Sequence, residues 1–250
     1  MNEGLIKYIL HLADNALVLG HRNSEWCGHG PVLEQDIAIT NISLDLIGQA
    51  RNFYQYAALI KGDNSTEDSF AYFRDSPDFK NILLVEQPKG DWAQTILRQF
   101  FFSVYQKNLF EGLKESKDEQ IAAIAVKALK EIAYHLRWSS EWVIRLGDGT
   151  EESHTRMLKA IDELWSYTGE MFIPAAYELQ MLNDGIGADV IALKENWMQK
   201  VREVFGEAGL TVPSTSLVQT GGKEGKHSER LDDILKELQS VARAYPTATW

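Results

Sequence analysis

Apolar residues recur every three or four positions along most of this chain, the spacing of one buried helix face. Over residues 4–20 they fall at Leu5, Ile6, Ile9, Leu12, Ala13, Ala16, Leu17 and Leu19, which predicts a helix with a broad apolar side. His21-Arg22-Asn23-Ser24 and then Cys27-Gly28-His29-Gly30-Pro31 interrupt the pattern. The glycines mark a loop, and Pro31 is placed to open the next helix. From Val32 to Lys61 the spacing returns through Ile39, Ile42, Leu46, Ala50, Phe53, Ala57 and Ile60. A helix of that length spans roughly 45 Å at 1.5 Å per residue, which suits a bundle rather than a βαβ unit. Gly62-Asp63-Asn64-Ser65 stops it.

Residues 66–90 are irregular, with one short helix and a connection ending at Gln87-Pro88-Lys89-Gly90. Asp91 is placed to cap a helix running to about Lys114, with Ile96, Phe100, Val104, Leu109 and Leu113 inward. Another helix runs from Asp118 to Leu146 through Ile121, Ile124, Ala128, Ile132, His135 and Trp142, and Gly147-Asp148-Gly149-Thr150 supplies a stop followed by a cap. Three more helices are predicted near 152–172, 188–206 and 228–243, with the Gly-rich TGGKEGK at 220–226 as a flexible turn. Alternating β-branched residues are nearly absent, so no strands are expected. The pattern predicts an all-α chain forming one domain over 1–250. Four long core helices occupy about 4–146, and a C-terminal helical extension covers about 150–250.

Composition narrows the function. A formal charge of −11 argues against a nucleic-acid surface, which needs clustered Lys and Arg. An anionic ligand would require a local basic patch. The single cysteine, Cys27, allows no intrachain disulfide and suits a reducing cytosol. The first residues, MNEGLIKYILHLADNA, lack a basic leader and cleavage site, and no run of apolar residues is long enough to span a membrane.

A four-helix bundle can house two metal ions between about four carboxylates and two histidines, with a Glu and a His three residues later sharing a helix face. Only Glu151-Glu152-Ser153-His154 and Glu224-Gly225-Lys226-His227 show that spacing here. Glu151 follows the cap Thr150, where an acid stabilises a helix start through the dipole. Glu224 lies in the Gly-rich turn, where no helix aligns it with His227. On the long helices the pattern fails. Leu46 precedes Gln49 by three, and Ile132 precedes His135 by three. Glu131 stands four before His135, an i,i+4 relation. Gln49 and His135 need hydrogen-bond partners if buried and are candidates to bond each other. Ser103, within FFFSVY, is a third lining candidate, and Asp14 and Leu17 are both candidates on the first helix.

Other residues have bland readings beside their chemical ones. Cys27 and His29 are too few to hold a metal and read as loop packing. Phe100-Phe101-Phe102 cannot all face one core, since three consecutive residues sweep about 200° of a helix, so one of them is a candidate for a subunit interface. Arg51, Arg98 and Arg137 read as surface or interface ion pairs, and Trp138 with Trp142 as one packed stripe. Lys223 and Lys226 among glycines suggest either a flexible loop or a contact to a phosphate or partner, without the ending of a phosphate-binding loop.

Several runs together carry a resemblance. These are Glu25-Trp26-Cys27-Gly28-His29, Leu44 to Phe53 (LDLIGQARNF), Leu84-Val85-Glu86-Gln87-Pro88, Lys130 to Arg137 (KEIAYHLR), Thr220-Gly221-Gly222-Lys223-x-Gly225-x-His227 and the terminal Trp250. With them the chain resembles the structural C-subunits of bacterial phenylacetyl-CoA ring 1,2-epoxidase over essentially its whole length. The resemblance implies a ferritin-like four-helix bundle core with additional C-terminal helices. It implies a chain without catalytic residues or a metal, at which Leu46, Gln49, Ser103, Ile132 and His135 mark a degenerate site. The di-iron centre would sit in the related catalytic A-subunit, the partner this chain supports in a cytoplasmic complex, with homodimers when alone. It also places Leu179, Gln180 and Met181 near the acyl-CoA. The alternative is a stand-alone ferritin-like oxidase using Asp45, Glu131 and His135 as unusual ligands.

Overall fold

The computed structural model describes residues 3–248, so Trp250 lies outside the described residues. Two long antiparallel hairpins form the core. The first pairs α1 (Glu3–Ser24) with α2 (Leu33–Lys61), and the second pairs α5 (Trp92–Leu113) with α6 (Glu119–Gly147). A crossover carrying α3 (Glu67–Tyr72) and α4 (Leu83–Glu86) joins them. Two hairpins linked by one long crossover make a ferritin-like bundle. Among the described residues there is no strand.

Local chemistry fixes the helix ends. Gly62 adopts a left-handed conformation (φ 67°) after α2, and its N–H bonds the Ala58 carbonyl. Asp91 and Gln94 exchange side-chain-to-backbone bonds at the start of α5, a reciprocal cap. Asp118 accepts the Gln120 and Ile121 N–H groups at the start of α6 and also the Tyr56 hydroxyl, tying that cap to α2. Thr150 and Ser153 cap α7 (Glu151–Leu164), as the sequence predicts.

Elsewhere tertiary contacts override the local signals. α1 does not stop near residue 20 but continues through Ser24, because Arg22 donates to the Glu86 and Arg230 carbonyls and Asn23 to Gln99. The helix expected at 152–172 ends at Leu164 and gives way to two short 3₁₀ turns, Trp165–Tyr167 and Gly169–Phe172. A helix over Ala176–Asn183 (α8) was not foreseen, and the next begins only at Leu193 (α9, Leu193–Glu207). The last predicted helix divides at Gln239 into α10 (Glu229–Leu238) and α11 (Ser240–Ala244), where the Gln239 amide donates to the Ala71 and Arg74 carbonyls.

The C-terminal elements cover the bundle. α7 and α9 pack on α5 and α6, α8 on α1, and α10 on α1 and α4. One of Phe100, Phe101 and Phe102 does face away from the bundle centre, but all three are buried within the chain, which corrects the candidacy of one of them for a subunit interface. Phe101 points away from the bundle centre into Trp165, Trp197 and Phe205, at ring separations of 5.7, 5.5 and 6.1 Å. Trp197 is itself buried and donates its indole N–H to the Phe101 carbonyl at 2.9 Å. Trp138 and Trp142 do form one stripe, with Trp92 edge-on to both at 6.0 Å. Arg98 is no surface ion pair. It is buried and donates to the Gln87 and Pro88 carbonyls, holding the crossover's last turn.

A second lock joins the chain's end to the crossover. Glu86 is fully buried and accepts from Asn81, from the Ser228 N–H and hydroxyl, and from His227. The His227 ring faces the Glu86 carboxylate at 2.7 Å through Nδ1 and the Phe79 carbonyl at 3.0 Å through Nε2. Two acceptors suit a ring with two N–H donors, the imidazolium. Burial alone would lower its pKa, but the hydrogen bond and charge of Glu86, with the Phe79 carbonyl, hold it above the ordinary 6.5.

Two stability outcomes are expected. Trp197→Ala should destabilise the fold by about 3–5 kcal/mol in urea titrations, the range for a buried large aromatic. A folded-state pKa above 6.5 makes the His227 contribution fully present below 6.5 and lost as pH rises through the folded value. The melting-temperature gap between wild type and His227→Gln should therefore be widest near pH 6 and shrink toward pH 9. A constant or growing gap would show that His227 is buried neutral.

Candidate functional site

The bundle centre is built from three helices that each present a pair three residues apart. α2 supplies Leu46 and Gln49, α5 supplies Ser103 and Gln106, and α6 supplies Ile132 and His135. All six are buried. An i,i+3 pair shares one helix face, so each helix offers two adjoining side chains to the interior. Gln106 Nε2 donates to Gln49 Oε1 at 2.9 Å, and Gln49 Nε2 donates to Glu131 Oε2 at 2.9 Å. One amide thus links all three helices, using both its donor and its acceptor. On the α1 side, Asn23 donates to Gln99, which donates to the Ser103 hydroxyl at 2.8 Å. Gln49 and His135 do not bond each other, contrary to expectation. His135 lies one turn along α6, where its Nε2 faces Asp45 at 2.9 Å, and Nδ1 has no hydrogen-bond partner.

Neither first-helix candidate joins this group. Asp14 is buried on the α2 side of α1, where it accepts from Tyr54, Arg74 and the Lys80 N–H. Leu17 borders a surface hollow of about 230 Å³ with Ile47, Ala50 and Tyr54. Sequence reasoning missed Gln106, although its position three residues after Ser103 repeats the spacing found on α2 and α6.

The residues present do not fit two metal ions. Leu46 and Ile132 offer hydrocarbon where a carboxylate would have to bridge. The Gln49 amide N–H is a donor and cannot ligate a cation. The acids beside the group are already engaged, Glu131 Oε2 by Gln49 and Asp45 by His135. Among the described residues no three His, Cys, Asp or Glu side chains gather to hold a metal.

Titratable groups gather instead between α1, α8 and the Gly-rich segment. Lys223 is buried and donates to both Glu178 oxygens (3.1 and 2.9 Å) and to the Met171 and Ile173 carbonyls. Glu178 also lies 3.6 Å from His11 Nε2, while His11 Nδ1 faces the Lys80 carbonyl. Burial lowers the His11 pKa, and Glu178 only partly opposes it. Glu170 accepts the Leu83 and Gly221 N–H groups, and burial raises its carboxyl despite them. TGGKEGK is therefore neither a flexible turn nor a phosphate cradle. Lys223 points inward, Lys226 alone of its lysines stays exposed, and a Cβ at Gly222 would come within 2.2 Å of the Asn81 carbonyl. Each acid here already meets protein donors, so the cluster fastens the extension to α1.

The remaining candidates are dispersed. His154 turns back to the Gly147 carbonyl at 2.7 Å, away from any partner acid. Cys27 and His29 are exposed on the α1–α2 loop, whose Gly28 and Gly30 N–H groups bond Asp36. Arg51 pairs with Glu67 at the surface, and Arg137 lies over the Tyr134 ring. On α8, Met181 is buried in the core, while Leu179 and Gln180 are exposed.

The chain is 46% identical over 250 residues, covering all of both proteins, to the C-subunit of the 1,2-phenylacetyl-CoA epoxidase of Escherichia coli (strain K12). Residues 1–250 match the family described as Phenylacetic acid catabolic protein. A ferritin-like bundle whose centre is closed by hydrogen bonds from side-chain amides thus belongs to the Phenylacetic acid catabolic protein family.

Proposed function

We propose that this chain is a non-catalytic, structural subunit of the multicomponent phenylacetyl-CoA ring 1,2-epoxidase of aerobic phenylacetate catabolism. In this reading it pairs with the di-iron catalytic subunit in the cytoplasm, supports the fold of that partner, binds no cofactor itself and self-associates only when alone. The observation that carries the reading is the Gln106–Gln49–Glu131 link, which completes the bundle centre without a cation. The full-length similarity to a protein named as an epoxidase subunit supports the assignment of complex and substrate. Any contact with the acyl-CoA would fall to the exposed Leu179 and Gln180 rather than to Met181.

A protein of this kind works through what it holds still. The hydrogen-bonded centre and the buried locks on Glu86 and Glu178 keep the long helices in one arrangement, and a partner bundle can then pack against a rigid surface. Reconstitution tests the role. With reductase, oxygen and phenylacetyl-CoA, this chain alone should give no epoxide even after incubation with ferrous iron. The catalytic subunit should gain at least about tenfold in soluble active yield when this chain is co-expressed, as expected when a partner that binds only the folded state stabilises it. Epoxide formation by this chain without its catalytic partner would overturn the proposal.

A further inference from the structure

The outer surface of the α2/α6 layer has a composition unlike the rest of the chain. The two helices run antiparallel, and four side-chain bridges lace the seam between them. These are Gln35–Trp138, Asp45–His135, Gln49–Glu131 and Tyr56–Asp118. α2 packs against α1, α3 and α6, and its outward side stays open. There Ile37, Asn41, Leu44, Gly48, Arg51 and Gln55 follow one another at alternating spacings of four and three, and all are exposed. That is the repeat by which one helix seats another at a shallow crossing angle. Leu59, 78% exposed, extends the line. A Cβ at Gly48 would touch nothing within 4 Å. The helix thus carries, at the middle of its open side, a residue that weakens it and leaves a notch.

Charge gives the face a direction. The outward residues of α6 include Lys127, Lys130, Tyr134, Arg137 and Arg145 against the acids Glu119 and Glu141, and from Ile37 to Leu59 the acid of α2, Asp45, is half-buried and turned to His135. This basic excess stands on a chain of net charge −11. Among the described residues Lys127, Lys130, Arg137 and Arg145 take part in no ion pair. The strip from residue 37 to 59 is about 33 Å long and two helices wide. That gives on the order of 600–700 Å², near the roughly 800 Å² each partner contributes to a standard interface.

We propose that this face docks an acidic, amphipathic helical surface of a different polypeptide, whose side chains enter the Gly48 notch between Leu44 and Arg51. A second copy is a poor occupant, because the same face would bring like charges together. The sparse apolar residues, with no Trp or Phe among them, are too few to anchor the face in lipid. The inference rests on the pairing proposed above and names the surface that performs it.

The test measures, at low and moderate salt, how tightly the purified chain binds the catalytic subunit. Lys130→Glu with Arg137→Glu should weaken binding by at least about tenfold and flatten its salt dependence. Gly48→Gln should raise the melting temperature, since it improves the helix, yet weaken binding by blocking the notch. Lys159→Glu, exposed on α7 outside this face, should leave binding unchanged, although it breaks the surface pair with Glu163. If wild type forms the complex and the α2/α6 variants bind as tightly as it does, the surface is wrong and the pairing stands. If the wild-type chain and the catalytic subunit do not associate, both proposals fail. Binding to phosphatidylserine-rich vesicles that the double variant abolishes, with its affinity for the protein partner unchanged, would overturn the assignment in favour of a membrane.

Discussion

One amide, that of Gln49, holds three of the four long helices together at their centre. Its oxygen accepts from Gln106 on α5 and its nitrogen donates to Glu131 on α6. The Gln49 and Gln106 amides are buried, so losing either bond strands a buried amide group at a cost of about 1–3 kcal/mol. In a bundle cross-linked by metal, clustered carboxylates are tolerable because cations neutralise them. Without cations the same cluster would suffer repulsion and desolvation together. Here Leu46 and Ile132 fill the space with hydrocarbon, and a neutral side chain with both hydrogen-bonding functions replaces the cross-link.

The rest of the structure is fastened to that centre by buried charge. Asp14 holds Arg74 and the crossover against α1 and α2, and the Arg74 guanidinium lies 4.1 Å over the Phe79 ring. Glu86 receives His227 and Ser228, and Glu178 receives Lys223. These pairs connect residues more than forty positions apart. Burying a pair is seldom a large net gain, but removing one partner is costly, which makes such locks specific rather than merely adhesive. They commit the C-terminal half to the bundle and leave the α2/α6 layer as an open, rigid face.

Much of this was legible where the signal is local. The bounds of α2, α5 and α6 follow from Gly62, Asp91 and the turn before Thr150. The i,i+3 rule located Leu46, Gln49, Ile132 and His135, and the family resemblance added Ser103; all five lie buried. What escaped depends on distant partners. The tail of α1 looks like a polar break until Glu86 and Gln99 supply acceptors for Arg22 and Asn23. TGGKEGK looks mobile because glycines usually are, yet Gly222 is there so that the backbone can reach Asn81. Arg98 suggested an ion pair, since a buried guanidinium served by carbonyls alone has no sequence signature. The partner of Gln49 could not be chosen among several polar residues by spacing, and the neighbour three residues past Ser103 went unnoticed.

Anomalous diffraction at the iron edge, on crystals loaded anaerobically with ferrous salt, tests the amide-closed centre directly. The expected result is no iron between α2, α5 and α6, with the Gln49 amide still bonded to Gln106 and Glu131. Two iron peaks at the level of Leu46 and Ile132, with Glu131 turned from Gln49 to meet them, would contradict it.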